Sequence, residues 1–282
     1  MSLWSNSKFT WLVAGINFLV FGAAAHSEIR LLISLGDSIT DDGVDFARKD
    51  FHGFQQYSDG KVYPYYIADE LNLDQTNYAY GGAMSGLGNF YFAGNSTGFA
   101  WQVDQLLLRN DERKNGILIL YQSAGCNDLH HGDTDLDLIL ENNRKNLELL
   151  LENGYNNFLV LDIADISRAP WFRTPEGAQL KEQIHRAILE LNRRFSKEVI
   201  EPLKVSHPEA RIVLAQTKPI IDWIFDKLPN NTEAYVHSSD QNVKERFNYL
   251  FYDAFHMTTA AHYLLAQKLI ETIRSTFSLK EK

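Results

Sequence analysis

Short apolar runs rich in branched residues recur along this chain, separated by longer segments whose apolar residues step by three and four. Strands buried on both faces read as continuous branched runs, and helices that cover them carry the longer period, so the alternation calls for a parallel sheet under helices. The runs are IRLLISLG (29–36), QTNYAYG (75–81), GILILYQSAG (116–125), NNFLVLDIAD (156–165) and ARIVLAQ (210–216). Pro64, opening PYYIADELNL, suits the first turn of a helix. Beyond Pro175, residues Ile184, Ile188, Leu191, Phe195, Val199 and Leu203 form one buried helical face, and 135–153 and 259–276 also read as helix. No repeat, linker or break in composition follows residue 26, which predicts one domain over residues 26–282. Its expected form is an α/β fold, a three-layer α/β/α sandwich on a five-stranded parallel sheet.

The first 25 residues stand apart. Lys8 precedes the apolar run FTWLVAGINFLVFGAAA, which ends in Ala23, Ala24 and Ala25. This reads as a signal peptide over residues 1–25, and the run is shorter than the roughly 20 residues a membrane span needs. The expected destination is secreted or periplasmic. Cys126 is the only cysteine, so the core must stabilise the fold without an internal disulfide. A net charge of −9 with no Lys/Arg cluster argues against nucleic acid as a partner. His130 and His131, with Asp128, Asp133 and Asp135 nearby, lack metal-site spacing and read as a solvated polar loop; no metal or cofactor is expected.

In an open parallel sheet the functional groups gather beyond the carboxyl ends of the strands. After the first run comes GDSITDDG, where Ser38 can offer a hydroxyl and its own N–H to one space, although Asp37 and Ser38 equally suit a helix cap. After the second, Gly81 and Gly82 permit close backbone approach, and the Gly82 N–H can face a developing charge. After the third, Asn127 can aim an amide at the same charge or simply make a turn. Near the end, Thr258 or Thr259 caps the last helix, which leaves Asp253 and His256 in the loop before it, spaced so that a carboxylate can orient an imidazole. His262, inside that helix, reads as a partly buried structural histidine. A rival serine, Ser96, sits in the G-x-S-x-G pattern GNSTG, but a glycine-rich stretch precedes it where a nucleophile elbow needs an apolar strand.

Taken in order, GDSI, NYAYGGA, GCND and DAFH resemble the conserved blocks of the GDSL, or SGNH, esterase and lipase superfamily, a flavodoxin-like fold, over roughly residues 31–270. The intervening SDGKVYPYYIADEL is similar to the branch with secreted lysophospholipases and haemolysin-like phospholipases. The resemblance implies a catalytic Ser38, His256 as general base and Asp253 as its orienting partner. It implies an oxyanion hole of Ser38 N–H, Gly82 N–H and Asn127. Cys126 replaces the family's usual small residue before the asparagine, and Met257 its frequent proline. The implied partner is a lipid or other acyl ester, with transient contact at a membrane surface. A carbohydrate O-acetylesterase and a non-catalytic lipid- or glycan-binding protein are the alternatives.

Overall fold

The computed structural model describes residues 28–45, 50–51, 57–91, 97–109, 114–237 and 246–279. The signal-peptide reading and Ser96 lie outside them. The five runs form one parallel sheet: β1 (Leu31–Leu35), β2 (Asp74–Asn77), β3 (Ile117–Gln122), β4 (Asn157–Leu161) and β5 (Arg211–Ala215), in the spatial order β2-β1-β3-β4-β5. Leu31 stands opposite Asp74 on one side and Ile117 on the other. The central strands β1, β3 and β4 are almost wholly buried, as a strand covered on both faces must be. Edge strand β2 is largely polar and ends at Asn77, earlier than the sequence predicts. The Asn77 side chain accepts from Ala79 N (3.0 Å) and donates to Thr40 O (2.7 Å), which turns the chain out of the ladder. Tyr78 and Tyr80 still donate to Ser34 O and Gly36 O, so the departing segment stays against the end of β1.

Eight helices are used below: α1 (Tyr63–Leu71), α2 (Phe99–Leu108), α3 (Cys126–His131), α4 (Leu136–Glu152), α5 (Pro175–Arg194), α6 (Glu201–Ser206), α7 (Thr217–Lys227) and α8 (Thr259–Thr276). Helix α1 packs on α8 and α8 on α7, while α2 packs on α4 and α4 on α5. These make the two helical layers. Caps follow the sequence: Asp135, Thr174 and Thr258 each accept from a first-turn N–H, an arrangement worth about 1 kcal/mol apiece. Between α5 and α6, residues 195–200 form a turn of π-helix. Phe195, Val199 and Leu203 step by four, which an α-helix would rotate off the core; the wider turn keeps all three buried.

Beyond the main sheet, β6 (Asn230–Ala234) pairs in parallel with β7 (Tyr249–Phe251). Neither was legible: the first is polar and the second only three residues long. Their role is positional. A bridge from Phe251 to Met257, Tyr252 N–H on His256 O (2.8 Å) and Thr258 N–H on Leu250 O (2.9 Å) cinch residues 252–257 into a closed loop that feeds α8.

Candidate active site

Ser38, Asn127 and His256 line one cavity at the carboxyl ends of β1 and β3. The turn after β1 is built on Gly36, where a side chain would start 2.5 Å from Thr40 and 2.8 Å from Gln122. Gln102 of α2 holds that glycine from both sides, accepting from its N–H (2.9 Å) and donating to its carbonyl (2.8 Å). Asp37 is buried, accepting from Ile39 N–H (3.0 Å) and Gln122 Nε2 (2.8 Å). Burial drives its carboxyl above the ordinary range, those bonds only partly offsetting it. Asp41 accepts from Gly43 N and Gly81 N (2.7 Å each), which ties the serine turn to the glycine loop. Gly82 has φ +78°, and a Cβ there would collide with Tyr91 and Asn89. Only glycine suits that left-handed backbone in that space.

His256 Nε2 lies 2.9 Å from Ser38 Oγ, and its Nδ1 lies 2.9 and 2.8 Å from the two oxygens of Asp253. A carboxylate only accepts, so the imidazole hydrogen sits on Nδ1 and Nε2 is free to accept from the serine. Asp253 Oδ1 also accepts from the N–H groups of Phe255 (2.8 Å) and His256 (2.7 Å). Burial raises this carboxyl, but the bonds and charge of His256 together with the two backbone donors prevail and hold it below its usual value. Ser38 and His256 are nearly closed off, at 8% and 7% exposure. Among the described residues, neither the Ser38 N–H nor the Gly82 N–H has an acceptor. Asn127 Nδ2 gives one hydrogen to Ala83 O (2.9 Å) and has a second available. The structure thus brings Ser38, Asn127 and His256 to one cavity, with Asp253 hydrogen-bonded to the histidine and Gly82 set against Tyr91 of the lining.

Two readings are corrected. The segment with His130 and His131 is helix α3, not a solvated loop: Asp128 is buried and accepts from Ser85 N and Oγ, Asp135 caps α4, and His130 lines the cavity. His262 is fully rather than partly buried, with neither ring nitrogen hydrogen-bonded, because at that turn α8 packs on α1 and Tyr63 stacks on the imidazole. Tyr91 borders the cavity and Trp171 abuts it through His130, whereas Phe225 lies under Arg168. Cys126 also lines the cavity. Burial, and then the carboxylates Asp37, Asp128 and Asp165, push its thiol well above the ordinary range, so it is not a competing thiolate nucleophile.

Sequence reading missed an aromatic circuit drawn from distant segments. Centroid to centroid, Tyr57 lies 4.7 Å from His256, His256 6.5 Å from Phe255, and Phe255 5.1 Å from His130. His130 lies 5.1 Å from Phe90, Phe90 5.0 Å from Tyr91, and Tyr91 6.4 Å from Tyr57. Tyr91, His130, Phe255 and His256 of this collar line the cavity into which Ser38 opens. Only the adjacencies of Phe90 with Tyr91 and of Phe255 with His256 were visible as sequence.

A five-stranded parallel sheet of this order, with its polar groups beyond the strand ends, defines an SGNH-hydrolase fold. The chain belongs to the GDSL-like lipase/acylhydrolase family, whose model matches residues 32–269. It is 24% identical over 276 residues to the thermolabile hemolysin of Vibrio parahaemolyticus, covering 87% of this chain and 64% of that one. It is 25% identical over 277 residues to the secreted effector protein SseJ of Salmonella typhimurium, covering 89% and 65%. The chain thus spans less than two thirds of the length of either relative. A solved structure of a candidate SGNH hydrolase from Slackia heliotrinireducens superposes with a TM-score of 0.50 over 87% of this chain and all of that one, at 15% identity, a likeness of fold. Among the described residues no helix is long and apolar enough to cross a membrane.

Proposed function

We propose that this chain is an exported serine esterase that cleaves a carboxylic ester through an acyl-enzyme on Ser38, with lysophospholipase or phospholipase A-like specificity. The observation that carries the reading is the unbroken hydrogen-bond chain from Ser38 Oγ through His256 to Asp253. Ser38 Oγ attacks the ester carbonyl carbon as its proton passes to His256 Nε2. Collapse of the tetrahedral adduct breaks the bond to the leaving oxygen, which takes that proton and departs as the alcohol. Water then repeats the sequence on the acyl group, with the same imidazole as base. Asp253, held ionised, stabilises the imidazolium formed in each half. The Ser38 and Gly82 N–H groups and the second Asn127 hydrogen are the donors proposed for the oxyanion, each left without a protein acceptor among the described residues.

The hemolysin and the secreted effector among the relatives favour an exported enzyme acting on membrane-lipid esters, in keeping with a signal peptide at residues 1–25. Labelling with a fluorophosphonate tests the nucleophile. Wild type and Ser96→Ala are expected to label and Ser38→Ala is not; failure of the folded wild type to label would instead support a non-catalytic binding protein. Acyl-chain profiling then separates a lipid esterase from a carbohydrate O-acetylesterase, the latter expected to lose activity beyond two carbons.

A further inference from the structure

Of the collar residues that line the cavity, Phe255 is apolar, Tyr91 carries a phenol and His256 is committed to Ser38 and Asp253, which leaves His130. Its ring is gripped by Phe90, Trp171 and Phe255 at centroid distances of 5.1, 5.3 and 5.1 Å. No hydrogen bond holds either nitrogen among the described residues, whereas His256, the other cavity-lining histidine, has both nitrogens engaged. His130 follows Asn127 by three residues on α3, so both side chains share one face of that helix and border the same cavity. A polar group fixed by packing and left without a protein partner beside a reactive serine is suited to a partner that arrives with the substrate.

The chemistry of that partner can be narrowed. Half-buried as it is, the imidazole is harder to protonate than usual, so near neutrality it offers one donor and one acceptor and no charge. The carboxyl groups of Asp37, Asp128 and Asp165 surround neighbouring Cys126 closely enough to oppose its ionisation. An anionic phosphate or carboxylate would meet that same field, and among the described residues no Lys or Arg lines the cavity to neutralise it. A hydroxyl both donates and accepts and carries no charge, and it matches neutral imidazole. Across the collar, His130 is joined through Phe255 to His256, the group that must reach the leaving oxygen.

We infer that His130 is a specificity residue that hydrogen-bonds a free hydroxyl on the alcohol portion of the ester, so that partially acylated polyols are preferred over fully acylated or plain alkyl esters. This rests on the esterase reading and deepens it: a lysophospholipid or a monoacylated glycerol carries such a hydroxyl, and a diacyl glycerophospholipid has none left on the glycerol that bears its acyl groups.

The test compares 2-hydroxyethyl butyrate with propyl butyrate, esters of matched size that differ by the hydroxyl. Wild type is expected to favour the hydroxylated ester by roughly tenfold in kcat/KM, the scale of one hydrogen bond in a partly closed site. His130→Phe, which keeps a ring in the aromatic grip, is expected to bring the ratio close to one, with the loss concentrated on the hydroxylated ester. His130→Asn, able to donate and accept, restores part of the preference. A ratio near one in wild type, or one that His130→Phe leaves in place, overturns the assignment. So does an equal loss on both esters, which would make His130 a packing residue. A wild type that labels at Ser38 yet shows no preference defeats this inference alone; one that neither labels nor turns over either ester defeats the esterase reading as well.

Discussion

Two histidines flank the start of α8, and the protein treats them in opposite ways. His256 lies in the cinched loop with both nitrogens bonded, to Ser38 on one side and Asp253 on the other. His262, inside the helix, is fully buried against Tyr63 with neither nitrogen partnered. The first is a polar group with one partner three residues away and the other 218 residues away. The second is accommodated as an apolar ring, and burial, followed by the nearby charge of His256, pushes its pKa down to about 3. Burial alone therefore says little about a histidine's role; the partners decide.

The largest test of this contrast is His256→Ala. Removing the proton acceptor of Ser38 is expected to lower kcat on a short-chain nitrophenyl ester by at least about 10⁴-fold with little change in far-UV circular dichroism. A loss below a hundredfold would mean that another base serves Ser38. Next comes Asn127→Ala, since Asn127 is partnered at one hydrogen and open at the other. Loss of one oxyanion donor should cost about 2.7–4 kcal/mol of transition-state stabilisation, a fall of roughly a hundred- to a thousandfold in kcat. Unchanged turnover would remove Asn127 from the oxyanion site.

His262→Phe is the smallest in activity, where turnover should stay within about twofold, and its effect falls on stability. The folded pKa lies below the unfolded value of 6.5, so the unfolded chain takes up a proton that the folded chain refuses. Wild-type stability from this group is thus full above pH 6.5 and is lost as the pH falls toward about 3. Urea unfolding at pH 7 and pH 5 should show the variant gaining on wild type at the lower pH, by up to about 1.4 kcal/mol per pH unit. The Asp253 carboxyl, held below 3.8, acts at more acid pH and is common to both proteins. A stability gap that does not change with pH would mean that folded His262 binds its proton normally.

The same contrast explains what could be read before the structure was known. Runs such as LLISL and ILILYQ declare themselves because strands buried on both faces need branched side chains at every position, and α5 does so through its repeated steps. Ser38, Gly82, Asn127, Asp253 and His256 were legible because each follows a strand or precedes a helix in a recognisable block. The scaffold that aims them was not. Gln102 and Asp41 bond to glycine backbones 66 and 40 residues away and Asn89 to one eight residues away, and as letters they do not differ from solvated amides and acids. His130 was misread for a related reason: its surroundings come from Phe90, Trp171 and Phe255, and no local spacing encodes that meeting.

The main sheet is complete once Ala215 joins β5, but Ser38 waits for a histidine 218 positions away, carried on a loop cinched only after β7 has formed. Contacts of such separation are among the last that a folding chain makes. A polypeptide still being made can therefore hold a finished sheet while Ser38 lacks its histidine. The hydrogen-bond chain from Ser38 through His256 to Asp253 closes when the final segment docks.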